Sequence, residues 1–278
     1  MPVWASGISC LWRDARFTLK TAMSNSDPYN DEFFAVHRDG SLASARQVVP
    51  VIMQMTGCRS VVDLGCGQGS WLAAFHEQGL KDLCGFDGEY VNKEQLLIPR
   101  EMFVTADLSQ PLKVNRRFDL AMSLEVIEHL PPAMSDSFID LLTSLSPVVL
   151  FSGALPHQEG TCHVNERWME DWVEMFRRRG YRAVDCLRSR FWSDTKVAWW
   201  YAQNMVLYVS EKHIADYPEI EKLLTTAPPV TWVHPQLLIH KENRLGQQPL
   251  LTQLWRTTLT RTWKAFTSRL AGRGRPPA

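Results

Sequence analysis

The chain has 278 residues, 45% of them apolar, and its 30 basic residues balance 30 acidic ones. That is enough apolar material for one large α/β domain with additions, while the zero net charge gives no support to a broad nucleic-acid surface and leaves room only for a local patch. No run of eighteen apolar residues is present, which excludes an ordinary membrane-spanning helix.

Residues 1–40 read as an N-terminal extension or cap. The first 26 look loosely attached and lack a continuous apolar segment like that of a signal peptide. Met23, ahead of Ser-Asn-Ser-Asp, is an alternative start. Tyr29 to Arg38 is polar and aromatic, and Ser41 to Met55 is a predicted helix leading into the first strand. Strand and helix signals then alternate: strand 60–64, helix 70–78, strands 82–87, 102–105 and 118–123, helix 134–145, strand 147–152, helix 166–179, and two last strands at 181–187 and 204–209. The alternation predicts a Rossmann-like open sheet, seven-stranded and mostly parallel, with helices on both faces. The predicted domain spans residues 41–210. Residues 211–278 follow as an extension broken by Pro218, Pro228, Pro229 and Pro235. From Asn243 onward there are seven basic residues and no acidic one, and Leu251, Trp255, Leu259, Trp263, Phe266 and Leu270 recur every three or four positions. This is a basic amphipathic helix over 249–271. It suits peripheral contact with an anionic membrane, or packing on the domain or a second subunit. The six cysteines (10, 58, 66, 84, 162, 186) form no C-x-x-C pair, so free thiols in a reducing, cytoplasmic setting are expected.

The most informative stretch is Val61-Val62-Asp63-Leu64-Gly65-Cys66-Gly67-Gln68-Gly69, followed by Gly85-Phe86-Asp87. A valine-rich strand ends at a glycine turn, where a backbone without Cβ atoms passes close to a ligand. The first amides of the following helix face the same cleft. Asp87 stands twenty residues beyond Gly67, at the end of the second strand, where a carboxylate accepts hydrogen bonds from ribose hydroxyls. The spacing is G-x-G-x-G, not the G-x-G-x-x-G of dinucleotide sites. The third strand runs out at Val104-Thr105-Ala106-Asp107-Leu108, placed to meet an adenine edge. The fourth, Phe118 to Glu125, reaches the same end of the sheet.

Residues 42–210, and most sharply 60–130, resemble the class I S-adenosylmethionine (SAM)-dependent methyltransferases, with V-V-D-L-G-C-G-Q-G similar to their first motif. The resemblance implies a last strand antiparallel to the rest. It implies that Asp63 and the turn of Gly65, Cys66, Gly67 and Gly69 hold the methionine end of SAM, that Asp87 holds the ribose, that Ala106 and Asp107 meet the adenine, and that Leu124 and Glu125 line the cofactor floor.

After the fourth strand comes Glu125-Val126-Ile127-Glu128-His129. In a helical turn, Glu125, Glu128 and His129 share one face. His157 and His163 lie in the loop after strand 147–152, which overhangs the same cleft. Oxygen-rich ligation with imidazole suits Mg²⁺ or Mn²⁺. The segment is similar to E-x-x-E-H of small-RNA 2′-O-methyltransferases and ubiquinone-pathway O-methyltransferases, which implies Glu125, Glu128, His129 and His163 as metal ligands. Metal-free members with E-V-hydrophobic-E-H use these residues only to line the site, so both readings stand. An aliphatic hydroxyl needs a base or a metal to become nucleophilic. Glu125, His157 and His163 are therefore the candidate catalytic residues, and O-methylation is expected. Trp168, Trp172, Phe191, Trp192, Trp199, Trp200 and Tyr201 supply aromatic surface for a ring. A small-molecule or glycan acceptor, sugar-like, is the leading expectation. An RNA-end 2′-hydroxyl is the nucleic-acid alternative, and a non-catalytic SAM-binding partner protein is another.

Overall fold

Alternate residues of the central strands face opposite sides, and both sides are apolar, so these strands are sandwiched. Val61 of β1 (Ser60–Leu64) packs on one face, while Val62 and Leu64 pack on the other. The computed structural model describes residues 31–247, with side chains from 40 to 243. Following β1 come α2 (Ser70–Glu77), β2 (Asp82–Asp87), β3 (Phe103–Thr105), β4 (Leu120–Leu124), α3 (Ser135–Leu145), β5 (Val148–Ser152), α4 (Met169–Arg177), β6 (Tyr181–Val184), α5 (Arg188–Phe191), α6 (Trp199–Asn204), β7 (Val206–Ser210) and α7 (Pro218–Glu221); α1 (Asp31–Thr56) precedes them. The seven strands lie in the order β3-β2-β1-β4-β5-β7-β6. Six run in one direction, and the last, β7, runs antiparallel to its neighbours β5 and β6, as the resemblance implies.

One face of the sheet is covered by α1, α2 and α6, through Val48, Ile52, Leu72, Phe75 and Ala202. The other is covered by α3 and α4, through Phe138, Leu142, Trp172 and Phe176. There Phe176 stacks on Tyr208, with ring centroids 3.8 Å apart, and both meet Phe151 edge-on. Burial of these side chains outweighs local propensity in holding the layers, at about 1.5–3 kcal/mol each.

Several expectations shift. The first helix begins at Asp31, ten residues before Ser41. Trp199 and Trp200 sit in α6, a helix the sequence pattern did not predict, their rings meeting edge-on at 5.6 Å. Cys58, Cys66, Cys84 and Cys186 are free thiols. Cys162 is disulfide-bonded, so the expectation of free thiols fails there. Residues 1–234 and 235–278 form two separate units, and the described part of the second is α8 (Pro235–Gln247). The amphipathic stretch 249–271 and the extension before residue 31 lie outside the described residues. Among those described, no helix is long and apolar enough to cross a membrane.

Candidate active site

The strand order reverses between β1 and β4, and an open α/β sheet offers its ligand crevice outside the carboxyl ends of the strands at such a point. The glycine turn there is held by the neighbouring strand. Gly65 and Cys66 donate their N–H groups to Phe86 O at 2.8 and 3.2 Å. Gly65 has φ 88°, and a Cβ on it would meet Val126 at 2.4 Å, so the turn admits no side chain. Gly67, with φ 55°, has open space where its Cβ would stand. Nothing there blocks a ligand's approach to the backbone.

Two carboxylates converge on this turn. Asp87 Oδ2 accepts from Gly67 N at 2.6 Å, and Oδ1 accepts from Gly88 N at 2.7 Å and from the hydroxyl of Tyr90. Burial pushes the Asp87 carboxyl up, and those three donors pull it back. Asp63 is buried at the end of β1. Burial, with the charge of Asp87 adding to it, pushes its carboxyl up to about 8. A cationic ligand group beside it would relieve that penalty, and the crevice fits SAM by this chemistry: a buried acid for an ammonium and a strand-end carboxylate for a ribose. Cys66 and Leu124 are buried against the turn and the sheet end. Gly69 caps α2 in the left-handed conformation. Ala106 N bonds to Asp87 O at 2.8 Å, which places the end of β3 beside Asp87. Asp107 is exposed and holds its own turn, accepting from Ser109 N and Oγ at 2.9 and 2.6 Å.

Tyr90 is a site residue that sequence reasoning missed. Its ring lies over Gly88, where a Cβ would meet Cε1 at 2.2 Å, and its hydroxyl occupies the carboxylate expected to receive ribose. The only sequence cue was a glycine two residues ahead of an aromatic.

Past β4 the expected helical turn is absent. Glu125 adopts φ 55°, and a short 3₁₀ turn covers Ile127–His129. The left-handed residue rotates the Glu125 carboxylate away from a shared face. It accepts from Gln158 Nε2 at 2.9 Å and from Asn204 Nδ2 at 3.0 and 3.3 Å. Gln158 Oε1 in turn accepts from Leu155 N, Gln203 Nε2 and Asn204 Nδ2. This buried carboxamide group was not legible in the sequence, because neither amide belongs to a motif.

The structure does gather Glu128, His129 and His163, whose ligand atoms lie within 4.8 Å of one another. The two imidazoles meet edge-on at 4.9 Å. Glu128 is fully buried, and neither of its carboxylate oxygens has a well-aligned hydrogen-bond partner. Burial and the nearby Glu125 charge hold its carboxyl well above the usual range. An unpaired buried carboxylate is expensive, and a divalent cation ligated by it and two imidazoles would remove the expense. The cluster therefore fits a metal, with Glu125 adjacent and held by amides outside it. His157 is exposed and stands apart from the cluster.

Residues 28–204 match a family model described as a methyltransferase domain. No curated protein matches the sequence. Among solved structures the chain is similar to DesVI of Streptomyces venezuelae, at 13% identity and TM-score 0.51, covering 68% of this chain and 100% of that one. It is also similar to the magnesium protoporphyrin IX methyltransferase ChlM of Synechocystis PCC 6803 with bound SAH (17%, 0.47, 66% and 91%). A further similarity is to the methyltransferase domain of bacterial CtHen1-C (18%, 0.45, 61% and 98%). At these identities the DesVI likeness shows the fold alone.

Proposed function

This chain belongs to the methyltransferase-domain family, the class I SAM-dependent methyltransferases, and we propose that it methylates a hydroxyl on a ring-bearing small molecule or glycan. The observation that carries the reading is the Glu128–His129–His163 cluster beside the crevice. Nitrogen acceptors need little activation, whereas a hydroxyl needs a base or a cation, and this cluster offers both.

SAM supplies a methyl that is already electrophilic, so the protein's work is placement. Asp63 and Asp87, with the Gly65–Gly69 turn, hold the donor's two ends. Asp107 and Ala106 border the adenine side, and Leu124 closes the floor. Glu128, His129 and His163 would hold Mg²⁺ or Mn²⁺, which when bound lowers the pKa of a hydroxyl. Glu125, pinned by Gln158 and Asn204, shapes the wall of the acceptor pocket. With His163 engaged as a ligand, His157 takes the acceptor's proton after loop movement; with no ion bound, His163 Nε2 is free to take it. Trp192, Trp199 and His234 support a ring acceptor. His234 lies 4.7 Å from Trp192 and stacks towards Trp199 at 6.5 Å, and its backbone N–H bonds to Gln203, which bonds to Gln158. This aromatic panel is thus linked by hydrogen bonds to the Glu125 wall.

The test is incubation of the protein and methyl-labelled SAM with cell extract, with and without chelator, followed by mass spectrometry. Label on a hydroxyl of a small ring-bearing product, lost on chelation, supports the reading. Label on nitrogen refutes it. Label on RNA ribose, with activity falling steeply with salt, would replace the small acceptor by nucleic acid.

A further inference from the structure

We propose that Glu166 is a positioning residue that fixes the tautomer and orientation of His163, so that His163 presents Nε2 to Glu128 and His129. The inference rests on the metal reading above and adds the residues that build it.

His163 sits on a loop with an unusual backbone. His157, Glu159 and Cys162 all have positive φ, at 69°, 62° and 59°. Left-handed non-glycine residues are strained and persist only where the surroundings hold them. The Glu166 carboxylate holds two of its amides. Its Oε2 accepts from His157 N at 2.7 Å, and its Oε1 accepts from Glu159 N at 2.9 Å. The same Oε1 pairs with His163 Nδ1 at 3.0 Å. One carboxylate therefore closes the loop and takes one imidazole nitrogen. With Nδ1–H donated to it, Nε2 carries the lone pair, which is the arrangement of a carboxylate–histidine–metal triad.

Two further features constrain the ring. A Cβ on Gly160 would stand 2.1 Å from His163 Nε2 and 2.4 Å from Cε1, so the imidazole occupies space that only glycine leaves. Immediately after His163, Val164 N and Asn165 N both donate to Glu128 O, at 2.8 and 3.1 Å. Asn165 Nδ2 adds bonds to Ile127 O at 3.1 Å and Ser135 Oγ at 2.9 Å. The loop is thereby stapled to the 3₁₀ turn that bears Glu128 and His129. Carboxylate, glycine and staple act on the same imidazole from three sides.

Two measurements on the full-length protein separate this proposal from the metal reading. Long-range ¹H–¹⁵N correlation of the metal-free protein reports the His163 tautomer, with assignment by loss of the signal in His163→Gln. The wild type should show Nδ1–H with a bare Nε2, and Glu166→Gln should lose that preference. Mn²⁺ titration followed by electron paramagnetic resonance should then show Glu166→Gln binding about 10- to 100-fold more weakly than wild type. Gly160→Ala should weaken Mn²⁺ similarly while keeping the Nδ1–H tautomer, and it stands in should Glu166→Gln fail to fold by circular dichroism. A Glu166→Gln protein with unchanged tautomer and unchanged Mn²⁺ affinity overturns the proposal, as does a Gly160→Ala protein of unchanged affinity where it is the variant in use. A wild type that shows the tautomer but binds no Mn²⁺ sinks the metal reading and leaves the positioning role intact.

Discussion

Asp63→Asn removes a carboxyl that folding forces to keep its proton. Burial, reinforced by Asp87, moves this group from an ordinary value of 3.8 to about 8. Between those limits the unfolded chain has ionised and the folded chain has not. Its contribution to stability is therefore fully present below pH 3.8 and is lost as pH rises through about 8. Each tenfold change in proton affinity corresponds to about 1.4 kcal/mol, so the wild type carries a penalty of about 4 kcal/mol at pH 7 and about 6 kcal/mol above pH 8. Asparagine resembles the protonated acid and never ionises. The variant should match the wild type near pH 4 and exceed it by a margin that grows about 1.4 kcal/mol per pH unit before levelling off. Urea unfolding of both proteins from pH 4 to 9 measures this, since other titrating groups cancel in the difference. A flat difference, or a variant less stable than wild type at pH 8, refutes the account of Asp63. The gain in stability should be accompanied by a loss of function. If Asp63 faces the donor's ammonium, the variant should bind SAM at least about tenfold more weakly, or about 1.4 kcal/mol. Calorimetry in two buffers at pH 7 should also show the wild type releasing a proton on binding SAM.

Tyr90→Phe removes the hydroxyl that donates to Asp87, the carboxylate proposed for ribose. Calorimetry should show SAM binding about three- to tenfold tighter, in line with the net worth of one ordinary hydrogen bond; a clear weakening would mean that Tyr90 helps to hold the donor. Mn²⁺ at a hundred times its Kd should stabilise the wild type by about 2.7 kcal/mol, and Glu128→Gln should abolish that gain in a thermal-shift assay; equal gains would place the ion elsewhere. Gly65→Ala should drive a methyl into Val126 and destabilise the chain by about 1–3 kcal/mol, with SAM binding lost; a variant of wild-type stability would show that the turn relaxes.

The strands were legible because buried parallel strands read as short valine-rich runs, and Asp63 and Asp87 were legible because each ends such a run. Their partners were not. Asn204, Gln158 and Gln203 meet from 33 to 79 residues away from Glu125 or from one another's segments, and carboxamides at such separations leave no periodic trace. Glu125-Val-Ile-Glu-His has the spacing of a helical turn, yet the backbone at Glu125 turns left-handed, where it donates its N–H to Ser152 O and Oγ at 3.2 and 3.0 Å. That tertiary bond overrode the local pattern. The cluster expected of four residues consequently reduces to three. The loop that delivers His163 was predicted to overhang the cleft, but its brace was hidden, because Glu166 reads as an unremarkable helix-start acid until its three donors are in place.

The position of β7 between β5 and β6 has a consequence for how the chain is made. Until residues 206–210 emerge during synthesis, β5 has one unsatisfied margin and β6 has no strand to join. A nascent chain shorter than this therefore presents a bare apolar ribbon to its neighbours, the template on which strands from other molecules assemble. Truncations ending before Met205 should accumulate as insoluble aggregates, and the step that commits the molecule to its final form should wait on a hairpin inserted from the far end of the domain.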